Sequence, residues 1–243
     1  MFNISCGFQE PNTTLGLKLT KILQSKEKGL LVGLNIPYKI KDLKKLKNQN
    51  KYYWIQFLKK YKFMISKLIN KNNVYYSAVF TRFYIRYKYK DNLSKKIEHI
   101  KKIWEKKHIL IIEGERTRLG IGNDLFDNAK SIKRIICPFK NAFTIYNKII
   151  KNIVNLKEKK RLIIISLGPT ATILAYDLYK LGYQCIDIGH IDLEYEWYLR
   201  KAKTTIPIEN KFCNEVGGEE YIFNNTNYFN KIYQSQIIAK ITN

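Results

Sequence analysis

The chain alternates short, almost wholly apolar runs with longer stretches in which apolar residues recur every three or four positions. His108-Ile109-Leu110-Ile111-Ile112-Glu113, Arg134-Ile135-Ile136-Cys137, Leu162 to Leu167 and Gln184 to Ile188 are of the first kind. They are too short for helices and are closed by Gly114, Pro138, Gly168 and Gly189, so they predict buried strands. Between them, Asp124 to Lys133 predicts a short helix. Asn141 to Leu156 spaces Phe143, Tyr146, Ile149, Ile150 and Val154 at helical intervals. Pro169 to Leu181 is a helix with proline at its first position and Gly182 just past its end. Strands separated by such helices imply an α/β fold with a mainly parallel sheet and helices on both faces.

The first half is less regular. Leu15 to Leu23 predicts an amphipathic helix and Gly29 to Leu34 a strand. Tyr52 to Ile69 predicts a helix with Trp54, Phe57, Leu58, Tyr61 and Ile65 on one side. Val74 to Ile85 alternates as a strand does, and Leu93 to Lys106 is a helix with Ile97, Ile100 and Trp104 inward. The Lys/Asn-rich stretch Lys41 to Lys51 is a surface connector, and no Pro/Ser-rich linker divides residues 1–243, which predicts a single domain.

Composition narrows the classes. With 12 Gly, 5 Pro and 4 Cys in 243 residues, the chain is neither collagen-like nor a disulfide scaffold. Cys6, Cys137, Cys185 and Cys213 are scattered without a CxxC pair, which predicts reduced thiols. No apolar run approaches the roughly 20 residues that span a bilayer, and Met1 to Cys6 lacks a secretory pattern, so the expected location is cytoplasmic. The formal charge is +24 and sits in the front: residues 1–160 hold 36 basic and 11 acidic side chains, residues 161–243 hold 8 and 9. Most of the lysine falls in amphipathic stretches and reads as solvated helix faces. The same basic half could rest peripherally on the inner face of a membrane. The alternative function is a binding protein for nucleic acid or anionic membrane driven by that basic half; against nucleic acid as the partner, no recognised binding motif is present and the aromatic residues fall at core-like intervals.

In open parallel sheets ligands bind outside the carboxyl ends of the strands. Three predicted strands end there in Gly-bearing polar loops: Glu113-Gly114-Glu115-Arg116, Gly168-Pro169-Thr170 and Gly189-His190-Ile191-Asp192. Gly168 permits a tight turn, and the following helix start offers free N–H groups to an anion, with Thr170 and Thr172 adding hydroxyls. An ordinary capped turn explains the same residues. Arg116 and Arg118 can fork onto phosphate, Gly120 and Gly122 allow close backbone approach, and Asp124 suits a helix cap. In an extended chain His190, Asp192 and Glu194 would project together, giving a hard oxygen site for Mg²⁺ or Mn²⁺; a helix would splay them. Arg82, at the end of Val74 to Ile85, either reaches a phosphate or lies exposed.

In combination these segments resemble the bacterial glycosyltransferases of the GT-D fold, once classed only as a domain of unknown function. The resemblance rests on Ser77-Ala78-Val79-Phe80-Thr81-Arg82, on Glu113 to Phe126, on Arg134 to Pro138 with Asn141-Ala142-Phe143, on Leu167 to Thr172, and on Asp187 to Trp197. It implies a Rossmann-like fold, a UDP-sugar donor such as UDP-glucose or UDP-galactose, and a glycan or glycoprotein acceptor in cell-surface glycan synthesis. It further implies Mn²⁺ or Mg²⁺ held by Asp192 and Glu194 as an Asp-x-Glu motif. Glu113, Glu115 and Arg116 would serve the nucleotide, joined by Arg82, and Gly168, Thr170 and Thr172 the phosphates. His190 and Glu196 are the candidate bases for the acceptor hydroxyl. Family members begin with a strand and an Arg-Phe-Gly-Asp-Gly-Glu segment that Met1 to Cys6 is too short to hold. The expectation is therefore either a start inside a longer product or a catalytically impaired, nucleotide-binding paralogue.

Overall fold

The computed structural model describes residues 7–35, 40–217 and 228–242. Its centre is a five-stranded sheet made of β3 (His108–Gly114), β4 (Ser131–Cys137), β5 (Leu162–Ser166), β6 (Cys185–Asp187) and β7 (Ile237–Lys240), in the order β6-β5-β3-β4-β7 with every neighbour parallel. Continuous apolar runs suit such strands because both faces are covered. Alternate residues part accordingly. Ile109, Ile111, Leu162 and Ile164 pack with α4 (Leu93–Lys101) and α7 (Ile191–Leu199) on one face. Leu110, Ile112, Ile163 and Ile165 pack with α1 (Thr13–Leu23), α5 (Tyr146–Asn155) and α6 (Pro169–Lys180) on the other.

The elements predicted from Asn141, Pro169 and the four apolar runs are all present. Four expectations change. Asp124 to Lys130 is a run of turns and bends, and Ser131 to Lys133 open β4: the Asn123 side chain accepts from Leu125 N at 3.0 Å, and Trp104 Nε1 donates to the Leu125 carbonyl at 2.9 Å, diverting the backbone from a helix. Gly29 to Leu34 forms a strand only as β1 (Gly33–Leu34), paired in parallel with β2 (Tyr76–Ser77). Beyond β2 the predicted strand tightens into a 3₁₀ turn over Ala78–Thr81. The fourth change is α7, which replaces the extended stretch expected after β6. Between β1 and β2, the short α2 (Ile40–Lys44) precedes α3 (Asn48–Leu68), in which Trp54 is the buried residue. The last helix, α8 (Tyr228–Gln236), leads into β7.

Candidate active site

From β3 the chain crosses to β4 on one side and then returns past β3 to β5 on the other. The direction reverses between β3 and β5, and ligands in such sheets settle in the crevice outside that point. The rim there is built from the loop after Gly114, the start of α6, and the turn into α7.

Two glycines shape it. A Cβ on Gly114 would lie 2.9 Å from Phe139 Cα, and Gly168, at φ +54°, would set one 3.1 Å from Phe8 Cβ. Phe212 meets Phe8 edge-on with centroids 5.6 Å apart and Phe139 at a tilt with centroids 5.4 Å apart. Arg116 stacks its guanidinium 4.2 Å from the Phe139 centroid, leaving its donors to the rim, while Glu115 is exposed beside it. Thr170, in the first turn of α6, has a buried hydroxyl with no hydrogen-bond partner. Thr172 instead donates to Asp187 Oδ2 at 2.8 Å. Burial raises the Asp187 carboxyl to about 6, against the pull of the Thr172 hydroxyl and the Gly189 amide.

At the head of α7, His190 Nε2 lies 2.8 Å from Glu215 Oε1 and 3.0 Å from Oε2. Arg82 Nη1 donates to Glu215 Oε1 at 3.0 Å. Burial pushes the Glu215 carboxyl up, but the hydrogen bond and charge of His190 and the charge of Arg82 outweigh it and hold it at about 2. Arg82 is thus an ion-pair partner within reach of the rim. Glu215 was invisible to sequence reasoning, being 25 residues from His190 in an unpatterned segment; its signal is only that it follows the buried Lys211-Phe212-Cys213 stretch.

Three expected roles meet a different geometry. Glu113 is fully buried, held by Arg134 Nη1 at 2.6 Å and by the Leu119 amide at 2.7 Å, so it braces the loop and does not face a nucleotide. Arg118 is likewise buried, donating to Asn230 Oδ1 at 2.6 Å. Asp192 and Glu194 do not project together, because residues two apart on a helix diverge by about 200°. Asp192 Oδ1 accepts from the Gly120 amide at 3.0 Å and Asn123 Nδ2 at 2.8 Å, and its Oδ2 from Lys211 Nζ at 2.6 Å. Glu194 Oε2 accepts from the Tyr84 and Ile85 amides at 2.8 and 2.9 Å, leaving Oε1 buried and unpartnered.

The residue that shares a face with Asp192 is Glu196, four positions on, whose Oε1 takes Asn123 Nδ2 at 2.7 Å and Lys211 Nζ at 3.1 Å. A divalent ion shared by Asp192 and Glu194 does not fit this donor set. The buried Lys211 ammonium fills the cation position beside Asp192, and among the described residues no group of three His, Cys, Asp or Glu side chains is placed to hold a metal. Glu196 is buried and committed to Lys211, Asn123 and Arg200, whereas His190 keeps one ring nitrogen unengaged by Glu215.

Residues 1–216 match the family model "Glycosyltransferase GT-D fold". The chain is similar to "Glycosyltransferase GlyD" of Streptococcus pneumoniae serotype 4, 42% identical over 172 residues, covering 70% of this chain and 20% of that protein. It is also similar to "Probable glycosyl transferase Gly" of Streptococcus gordonii, 45% identical over 144 residues, 58% of this chain and 20% of the relative. The chain therefore spans about a fifth of the curated relatives it matches. Among solved structures, one described as "The highly conserved domain of unknown function 1792 has a distinct glycosyltransferase fold" superposes with TM-score 0.90 at 37% identity, over 98% of this chain and 84% of that one. "A New Glycosyltransferase (DUF1792) from Streptococcus sanguinis" gives 0.89 at 33% identity, over 98% and 87%.

Proposed function

Since the chain belongs to the GT-D glycosyltransferase family, we propose that it moves a hexose from a UDP-sugar to a glycan or glycoprotein acceptor in cell-surface glycan synthesis. The family match over residues 1–216 carries the reading, and the polar rim at the sheet's switch point supplies the chemistry. Arg116 and the start of α6, with its unpartnered Thr170 hydroxyl, face the donor diphosphate. The acceptor oxygen attacks the anomeric carbon, the bond from that carbon to the β-phosphate oxygen breaks, and UDP leaves with the electron pair. The acceptor proton passes to Nδ1 of His190, whose Nε2–H donates to Glu215 and fixes the tautomer. Glu196 is not the base in this reading, because its carboxylate is already engaged by Lys211, Asn123 and Arg200.

No step runs through Mn²⁺ or Mg²⁺, since Asp192 and Glu194 do not fit one ion. EDTA-sensitive turnover that survives Glu194→Gln would locate an ion on other ligands.

The test is UDP release from UDP-glucose or UDP-galactose with a glycopeptide acceptor. His190→Gln lowers kcat by roughly 10²- to 10⁴-fold, and Glu215→Gln lowers kcat while leaving KM for the donor near wild type. Wild-type turnover by His190→Gln would remove the base assignment. A nucleotide-binding, catalytically impaired paralogue is the second reading, favoured by the lysine in the cation position. UDP binding by calorimetry without any turnover would select it.

A further inference from the structure

α3 runs for 21 residues yet buries only Trp54 outright. Its sequence carries Lys51, Lys59, Lys60, Lys62 and Lys67 and no acidic residue. At 100° per residue, Lys59, Tyr52, Phe63, Gln56, Lys67, Lys60, Tyr53 and Met64 follow one another around the outward arc, so aromatic and cationic side chains interleave. Tyr52 is 66% exposed and Phe63 71%, and Tyr53 and Met64 are exposed beside them. Lys67 Nζ sits 4.2 Å from the Phe63 ring centroid, and among the described residues no carboxylate comes within ion-pair reach of any α3 lysine. Elsewhere in the same half, Leu31 and Val74, flanking the β1–β2 pair, are 69% and 76% exposed.

A surface of this kind has no counter-charge paired to it among the described residues. A second copy would bring the same positive face, so self-association through α3 sets like charges together. What matches is a plane that is anionic outside and apolar just beneath. We infer that the outer face of α3 is a docking surface for an anionic lipid bilayer, lying flat with its aromatic side chains at headgroup depth and its lysine stems snorkelling toward the phosphates. The helix does not cross the bilayer, for no helix among the described residues is long and apolar enough to do so. This inference stands apart from the transfer chemistry, since none of its residues belongs to the rim.

The experiment is co-sedimentation of the full chain with vesicles of phosphatidylcholine alone and of a phosphatidylglycerol–phosphatidylcholine mixture. Wild type pellets with the mixed vesicles and not with phosphatidylcholine, and rising salt releases it. Each removed lysine weakens binding by about five-fold, so Lys59→Ala/Lys60→Ala/Lys67→Ala lowers it by about a hundred-fold. Tyr52→Ser/Phe63→Ser weakens the fraction that survives high salt. Both variants keep the wild-type unfolding midpoint and rate of UDP release. Wild type left in the supernatant, or a lysine variant that binds unchanged, overturns the inference. So does an α3-dependent dimer, or an oligonucleotide that displaces the vesicles while binding more tightly. Absence of UDP release from wild type with vesicle binding intact would remove the proposed transfer and leave the docking surface standing.

Discussion

Arg134 is a charged side chain with 1% of its surface in water, and its neighbours explain how it is tolerated. Its guanidinium reaches the Glu113 carboxylate, the Leu119 carbonyl at 2.9 Å and Gln236 Oε1 at 2.7 Å, so β3, the loop after it and α8 share one cation. Removing one partner of a buried pair strands the other. Arg134→Met is therefore expected to cost about 3–5 kcal/mol in urea unfolding, and Glu113→Leu/Arg134→Met to recover much of that. The same logic governs Lys211 between Asp192 and Glu196. Asp187 contributes a pH dependence with a definite sign. Its folded value of about 6 lies above the unfolded one, so the folded state holds the extra proton and stability falls as pH rises from about 4 through 6. Relative to wild type, Asp187→Asn should gain up to about 3 kcal/mol between pH 4 and pH 7 in denaturant titrations.

At the level of elements, α7 decides how the site is arranged. As a helix it sends Asp192 and Glu196 toward the loop after β3, and Glu194 toward the amides of Tyr84 and Ile85. Glu194→Ala frees two buried N–H groups, at a cost of about 2–4 kcal/mol, whereas Glu194→Gln keeps an acceptor and stays near wild type. Equal loss in both variants would show that the charge, rather than the acceptor, matters there. The apolar runs that became β3, β4, β5 and β6 were legible because a parallel strand covered on both faces needs little beyond its own residues. The α7 segment was not, because Ile191-Asp192-Leu193-Glu194 alternates as a strand does, while the partners that settle it, Lys211, Asn123 and Tyr84, lie far away in the chain. Glu215 was hidden for the same reason. Placement of the polar loops along one rim was readable from the alternation of strands and helices; the engagement of each carboxylate was not.

For the whole molecule, the asymmetry of charge acquires a direction. The polar rim is built on the large sheet, while α3, with its lysines, lies in the chain between β1 and β2 of the smaller one. The basic front half, read from composition as solvated helix faces, thus contains one helix whose outer face is more than solvated.

The C-terminal segment has a different bearing. β7 lies beyond the residues that match the family, yet it pairs with Arg134, Ile135 and Ile136 of β4, and the Ile241 amide continues the ladder to the Ile136 carbonyl at 2.8 Å. Without it β4 would present a row of open amides and carbonyls along a hydrophobic strand, the template on which proteins zip into aggregates. A chain shortened after Val216 should consequently polymerise on storage, as light scattering would register, however intact its donor crevice.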